Sequence, residues 1–208
     1  MSLKEFGKFV AQMRGYRPKP AYPAKRKVVQ SPSLTKLIKR LQTGAPGMTD
    51  FDLELSMTII YLMAYAGLRK SEVINLCMHD VILKTKEIHL VCGKGLKNRW
   101  IGIQKALDYQ LRRWLAARPK CDSPKLLVQV DGKPITKSVI DCRFRRLSKR
   151  LNIDFSAHAL RRAFATIHAD QGVSLSHLQA QLGHSDIKTT MGYIQTDERV
   201  AMESLKRL

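Results

Sequence analysis

The chain has 208 residues, enough for one domain with a hydrophobic core, and its formal charge is +20 because 37 Lys and Arg outnumber 17 Asp and Glu. This excess predicts a polyanionic partner, most often nucleic acid, with a membrane surface as the competing class. The chain has no long basic amphipathic segment, apolar signal core or bilayer-length apolar run, so secretion and membrane insertion are disfavoured and we expect a cytoplasmic protein.

Residues 1–31 differ in composition from the rest of the chain. They hold Pro18, Pro20, Pro23 and a Lys25-Arg26-Lys27 cluster, and eight Lys and Arg against one Glu give this segment a net charge of +7. Prolines at this density oppose a continuous helix. The segment is predicted to be an arm that follows DNA phosphates, and the alternative is a solvated linker or the remnant of a lost domain. Residues 32–208 are predicted to form one folded domain.

The first part of this domain predicts two helices followed by a tight corner. Apolar residues recur at helical spacing between positions 34 and 41, and a second, more apolar helix follows and ends at Gly67. Gly67 can adopt a left-handed backbone conformation, and Ser71 or a neighbour can begin the next helix. Arg69 is therefore predicted to lie in the corner between two helices.

A β-hairpin is predicted next. Residues 87–91 and 99–103 alternate polar and apolar side chains, and a Gly-rich connection joins them. Three basic residues stand on or beside the tip of this hairpin, where they suit a DNA backbone: Lys94, Lys97 and Arg99. Leu126–Val130 is predicted to be a short third strand.

Thr136 is predicted to cap a basic helix that ends at Leu151. Its apolar face carries residues such as Phe144, and its other face holds six positive residues opposed only by Asp141: Lys137, Arg143, Arg145, Arg146, Lys149 and Arg150. Such a face suits a DNA groove or phosphates, and a solvated face is the alternative. Arg143 and Arg146 are the candidate DNA contacts on this helix.

The last third of the chain combines polar residues with helix-start signals. Ser156 can cap a helix on which His158 and Arg161, three residues apart, share one face. His184 and Tyr193 follow beyond the next predicted helix. Arginine and histidine donors suit an anionic, phosphate-like centre, and Tyr193 is the only nucleophile in this group.

Three separated motifs in this sequence resemble the tyrosine recombinase (phage integrase) family. They are Gly-Leu-Arg-x-Ser-Glu at 67–72, Gly-Lys-Gly-x-Lys-x-Arg at 93–99, and His-x-Leu-Arg at 158–161 followed by Leu-Gly-His and Thr-Thr-x-x-Tyr within 182–193. The resemblance covers residues 33 to about 196. It implies the catalytic domain of that family, a mainly α-helical (α+β) fold with a small antiparallel sheet of about three strands.

The resemblance implies a role for each of six residues. Tyr193 would be the nucleophile, and Lys94 the general acid, with Lys97 as the alternative acid. Four donors would stabilise the phosphoryl transition state: Arg69, His158, Arg161 and His184. Arg162 stands where most family members have a second histidine, and we expect it to add a phosphate contact.

By resemblance, the chain is expected to be a site-specific recombinase or integrase of a mobile element. Such enzymes cut and rejoin DNA strands through a 3′-phosphotyrosine link, which retains the phosphodiester energy, so neither a metal nor another cofactor is expected. The absence of any Cys-x-x-Cys pair also disfavours a zinc site. The alternatives are a type IB topoisomerase-like DNA-relaxing enzyme and a non-catalytic DNA-binding regulator.

Double-stranded DNA is the expected partner, with a homo-tetramer on DNA and a monomer or weak oligomer when the protein is free. A final helix near Val200–Leu205 is expected either to dock onto a neighbouring protomer or to fold back. Family members usually carry an N-terminal helical domain that clamps DNA, and the residues before 33 are too few to supply one. The sequence thus predicts a minimal recombinase, a catalytic fragment, or a clamp supplied by an accessory DNA-binding protein.

Overall fold

A computed structural model of the chain describes residues 31–43, 47–91 and 98–182. The described helices are α1 (Ser31–Gln42), α2 (Asp50–Tyr65), α3 (Lys70–Asn75), α4 (Lys105–Ala117), α5 (Lys137–Leu151), α6 (Ala157–Asp170) and α7 (Leu175–Leu182). A 3₁₀ turn, Met78–Asp80, leads into the strands β1 (Val81–Ile82), β2 (Glu87–Leu90) and β3 (Arg99–Gly102). The prediction of a mainly helical fold with a small antiparallel sheet is confirmed.

The three strands form one antiparallel sheet in the order β1-β2-β3. Strands β2 and β3 pair from Glu87 opposite Gly102 to Leu90 opposite Arg99, as the predicted hairpin requires. Side chains alternate between the two faces of a strand, so Arg99 shares the inner face of β3 with buried Ile101.

The predicted third strand at 126–130 is wrong, because β1 is the third strand of the sheet. Leu126, Leu127 and Val128 are consecutive and all buried, so this run lacks the alternation of a half-exposed strand. It makes isolated bridges instead, one of which joins Val128 to Pro134 across a tight turn.

Helix α2 forms the centre of the core because it is apolar around most of its circumference. Thr49 caps it by accepting the backbone N–H of Asp52 at 3.1 Å, and residues 54–64 are buried without interruption. It packs between α4 and α6. The buried Trp114 of α4 donates its indole N–H to the carbonyl of Leu126 at 2.9 Å, which joins the 126–128 run to this core. Within the described ranges, no helix has the length and apolar composition to cross a bilayer.

A smaller apolar cluster holds α7 against α6. It contains Phe164 and Ala165 of α6 together with Leu178 and Leu182 of α7. Gly172, with φ +80°, makes the left-handed turn between the two helices. This packing fixes the C-terminal end of α7 beside the corner that carries Arg69.

Candidate active site

Gly67 forms the corner between α2 and α3, where a left-handed backbone and close neighbours together favour a residue without a Cβ. Its φ is +64°, and a Cβ at this position would lie 2.9 Å from the Phe164 ring and 3.0 Å from a Leu182 methyl group. Arg69 then caps α3, where its backbone N–H donates to Glu72 at 2.7 Å. The structure thus places Arg69 in a helix corner, with its helix starting one residue before Ser71.

Glu72 is shared by arginines from separate parts of the chain. Its Oε1 accepts Arg69 Nη1 at 2.9 Å and Arg99 Nη1 at 3.0 Å, and its Oε2 accepts Arg99 Nη2 at 2.9 Å. Arg161 Nη1 lies 4.0 Å from Oε2. Burial alone would raise the pKa of Glu72, but hydrogen bonds from Arg99 and from the Arg69 backbone hold this pKa below its ordinary value. A charged carboxylate therefore lies behind both motif arginines.

Arg161 is buried, with 4% of its surface exposed. It donates Nη1 to the Gly67 carbonyl and Nη2 to the Leu182 carbonyl, so it joins α6 to the corner and to the end of α7. Ser156 caps α6, as predicted, by accepting the Ala159 N–H at 3.2 Å. The guanidinium is therefore fixed by backbone groups rather than by flexible side chains.

A cleft of about 860 Å³ opens at this corner. Arg69, His158 and Arg161 all line it, so the structure brings three of the predicted catalytic residues together. His158 is exposed at the start of α6, whereas Arg161 lies at the base of the same face. Four other candidates lie outside the described residues: Lys94, Lys97, His184 and Tyr193.

Several charged residues lie at this cleft that the sequence analysis did not place there. Glu72 lies behind it, and Lys70 and Arg145 line it. Lys70 makes an ion pair with Asp141, the single acid of the basic helix α5, which joins that helix to α3. One signal for Glu72 was available, because a Glu three residues after a helix cap commonly accepts the cap N–H.

The predicted DNA contacts fall into two groups. Arg99 and Arg143 are engaged within the protein: Arg99 with Glu72, and Arg143 with Asp52 at 2.7 Å. Burial favours a raised pKa for Asp52, yet its bond with Arg143 holds that pKa below the ordinary value. Arg146 is exposed on α5, and Arg162 is half-buried on α6. Because Arg146 is exposed, it is a better candidate for a DNA contact than Arg99 or Arg143.

Cys77, His79 and Asp80 place one sulfur, one ring nitrogen and one carboxylate oxygen within 4.8 Å of one another. Asp80 already accepts the Cys77 backbone N–H at 2.8 Å, which closes the 3₁₀ turn. The Lys125 ammonium lies 3.6 Å from the Cys77 sulfur, where its positive charge opposes a bound cation. A local turn with its own hydrogen bonds accounts for this cluster.

The family model described as the phage integrase family matches residues 31–199. Tyrosine recombinase XerA of Pyrococcus horikoshii is 30% identical over 152 residues, which is 72% of this chain and 53% of that protein. Tyrosine recombinase XerA of Thermococcus kodakarensis is 33% identical over 175 residues, covering 82% of this chain and 58% of that protein. The chain spans about half the length of the curated relatives it matches.

Two solved structures share the fold. A crystal structure of XerA recombinase has a TM-score of 0.75 and 22% identity over 99% of this chain and 81% of that chain. XerH site-specific recombinase, in a post-cleavage complex with a palindromic difH substrate, has a TM-score of 0.71 and 21% identity over 86% of this chain and 52% of that chain. At sequence identities of 22% and 21%, these two matches show that the fold is shared and show nothing further.

Proposed function

Since the chain belongs to the phage integrase family, we propose that it is a site-specific tyrosine recombinase that cuts and rejoins double-stranded DNA. The observation that carries this proposal is the convergence of Arg69, His158 and Arg161 on one cleft, with a charged Glu72 behind the two arginines. Relatives that bear tyrosine recombinase names support the recombinase reading over a relaxing enzyme or a non-catalytic regulator.

The proposed reaction exchanges one phosphodiester for another. The Tyr193 oxygen attacks phosphorus, a tyrosine–phosphate bond forms, and the bond from phosphorus to the 5′ oxygen breaks. The phenol releases its proton to solvent, and the leaving 5′ oxygen gains one from Lys94, which solvent then reprotonates. Rejoining reverses these steps with the 5′-hydroxyl of another strand. Since the link retains the phosphodiester energy, the reaction as proposed requires neither nucleotide hydrolysis nor redox chemistry.

The described residues would bind the phosphate at the cleft. Arginine is suited to this because its planar fork remains charged and donates to two oxygens at once. Arg161 is held by two carbonyls and Arg69 by Glu72, so both forks are oriented before DNA arrives. Donors that are fixed in advance stabilise the crowded phosphoryl anion without reorganising during the reaction. His158 would add one more donor from the cleft rim.

The basic surface would supply most of the affinity for DNA. The formal charge of +20 favours a phosphate backbone. Exposed Arg145 lines the cleft, and exposed Arg146 adds positive charge elsewhere on α5. Exchange between two duplexes requires four strand cleavages, and each chain carries one Tyr193. We therefore expect four copies on DNA, a monomer or weak oligomer when free, and action in the compartment that holds the DNA, the cytoplasm.

A covalent-trapping experiment tests the proposal without knowledge of the target site. Duplexes with a randomised segment and scattered nicks are incubated with the protein, so that a cleaved short fragment diffuses away and rejoining is blocked. Adducts that survive denaturant are sequenced to recover the preferred site. We expect adducts with the unmodified chain and none with Tyr193→Phe, which should still bind DNA. An adduct that persists in Tyr193→Phe would remove Tyr193 as the nucleophile.

The recovered site then separates strand exchange from relaxation. Two differently marked duplexes and one supercoiled plasmid, each carrying the site, are incubated with the chain. Exchange of marked ends is the expected outcome. Relaxation of the plasmid with no exchange of ends would contradict recombination and indicate a relaxing enzyme.

A further inference from the structure

The side chain of Arg99 turns into the protein although its sequence position is beside the tip of a basic hairpin. It lies opposite Leu90 in the sheet and shares a face with Ile101, whereas the intervening Trp100 is 53% exposed. Only 9% of the Arg99 side chain is exposed. Arg161 is at least as buried but lines the cleft, whereas Arg99 is not among the described residues that line it. Arg99 is therefore poorly situated to reach a phosphate bound there.

Three nitrogens of the Arg99 guanidinium have acceptors. Nη1 and Nη2 donate to the two oxygens of Glu72 at 3.0 and 2.9 Å, and Nε donates to the Gln181 carbonyl at 2.8 Å. This arrangement uses the planar fork and the adjacent Nε together. A lysine has one nitrogen and cannot serve these three acceptors with the same geometry.

These acceptors belong to the groups that hold the phosphate-binding arginines. The same Glu72 oxygens accept Arg69 and lie beside Arg161. Gln181 directly precedes Leu182, whose carbonyl accepts the other end of Arg161. Arg99 therefore contacts both the carboxylate behind the two arginines and the backbone at the end of α7.

We propose that Arg99 is a positioning residue, which acts through Glu72 and the end of α7 to hold Arg69 and Arg161 in the geometry that the reaction requires. The inference rests on the proposed function. Without Arg99, the Glu72 carboxylate loses two hydrogen bonds and keeps those from Arg69, so its orientation is less constrained. Strand β3 and α7 would also lose the bond from Nε to the Gln181 carbonyl.

The test separates positioning from DNA contact by measuring cleavage and affinity independently. Arg99→Gln and Arg99→Lys are assayed on DNA that carries the site recovered by covalent trapping. The rate of single-turnover cleavage is measured at saturating DNA, and DNA affinity is measured across a range of salt concentrations. We expect cleavage to fall roughly 10- to 100-fold in both variants, because the precision of fixed donors is lost. The slope of affinity against salt should stay unchanged. A DNA contact would instead flatten that slope by about one and leave saturated cleavage intact, which would overturn the proposal.

Arg113→Gln is a control that removes an arginine from another buried glutamate, at a site where the arginine itself is 47% exposed. Arg113 pairs with Glu54, whose side chain is 9% exposed, as is that of Glu72, but this pair joins α2 to α4 and lies outside the cleft lining. Thermal unfolding of every variant identifies losses that come from stability alone. Arg113→Gln should retain the cleavage rate of the unmodified chain at temperatures where both are folded. An equal loss of cleavage in Arg113→Gln and Arg99→Gln would assign the effect to general destabilisation and contradict positioning.

A double-mutant cycle with Glu72→Gln tests whether Arg99 acts through that carboxylate. Arg99→Gln alone leaves the buried Glu72 carboxylate with fewer positive partners, whereas the double variant removes both charges. We expect the double variant to cleave no more slowly than the worse single variant, since residues in one network are non-additive. If the two single losses of cleavage rate multiply in the double variant, or if Arg99→Lys cleaves at the rate of the unmodified chain, Arg99 does not act through Glu72. Absence of any adduct from the unmodified chain would contradict the proposed function itself, and the inference with it.

Discussion

Two buried glutamates, Glu54 and Glu72, have the same exposure, 9% of the side chain, yet they bind their partners differently. Glu54 of α2 pairs with Arg113 and accepts Gln110 at 2.9 Å, and both partners come from α4. Glu72 instead accepts arginines from its own helix corner and from β3, and it lies beside a third arginine from α6. One carboxylate joins two neighbouring helices, and the other joins three segments that carry separate sequence motifs.

This difference predicts that the Glu72 network, and not the Glu54 pair, supports the proposed function. The pair of Glu54 with Arg113 joins adjacent helices at a position where the arginine is 47% exposed, and ion pairs with an exposed partner usually contribute little. The network at Glu72 brings three positive side chains close together, an arrangement that is unfavourable unless a nearby anion is held there. A cleft that keeps arginines together in this way is suited to binding a phosphate.

The largest expected difference between the two regions is in catalysis. Arg69→Ala and Arg161→Ala should each slow cleavage of bound DNA by at least ~10²-fold, the scale for losing one fixed transition-state donor. DNA affinity should fall much less. Arg113→Ala, in the Glu54 region, should leave cleavage unchanged. Parallel losses of affinity and cleavage in the first two variants would mark them as ordinary phosphate contacts.

A smaller effect, on stability, is expected from replacing Gly67, the glycine at the corner beside Glu72. Gly67→Ala should destabilise the fold by roughly 2–4 kcal/mol, because the left-handed conformation is strained and the new Cβ meets Phe164 and Leu182. Gly172→Ala is the matched control, since φ is +80° there and no atom lies within 4 Å of the added Cβ. The Gly172→Ala substitution should lower the free energy of unfolding in urea by about 1 kcal/mol. Similar losses in both variants would show that the close approach at Gly67 contributes nothing.

The smallest expected effect isolates the charge of Glu72. Because its folded pKa lies below the ordinary value of 4.5, Glu72 contributes stability that is present above pH 4.5 and is lost as pH falls through the folded pKa. As pH is lowered from 7 to 3, the free energy of unfolding measured in urea should therefore fall more steeply for the unmodified chain than for Glu72→Gln. The difference in this loss should be on the order of 1 kcal/mol. Parallel curves would show that the carboxylate is not preferentially ionised in the fold.

The corner and the hairpin were predictable because local chemistry determines them. A glycine at the end of an apolar helix predicts the left-handed turn at Gly67, and alternation predicts the pairing of β2 with β3. The same alternation places Arg99 in phase with Ile101, which was the available signal that Arg99 faces inward. Its inclusion among the DNA contacts rested on charge and closeness to the hairpin tip.

The rest of the site depends on tertiary contacts that no local pattern specifies. The spacing of Leu126–Val130 resembles a strand, but burial of three consecutive residues is decided by Trp114 and the neighbouring core. Arg143 lies three residues after Ile140 and four before Leu147, so helical spacing puts it at the edge of the apolar face, although its partner Asp52 comes from α2. The role of Glu72 emerges only when β3 and α6 arrive at the same corner.

Peptide mapping of the trapped DNA adduct tests the central claim most directly. Trypsin cleaves after Lys188 and Arg199, so the peptide 189–199 contains Tyr193 as its only tyrosine. After nuclease digestion, mass spectrometry should find this peptide carrying a nucleotide through its 3′-phosphate, in amounts that fall with Arg69→Ala and Arg161→Ala but not with Arg113→Ala. A nucleotide on any other residue, or an adduct indifferent to both cleft arginines, would contradict cleavage by Tyr193 at this cleft.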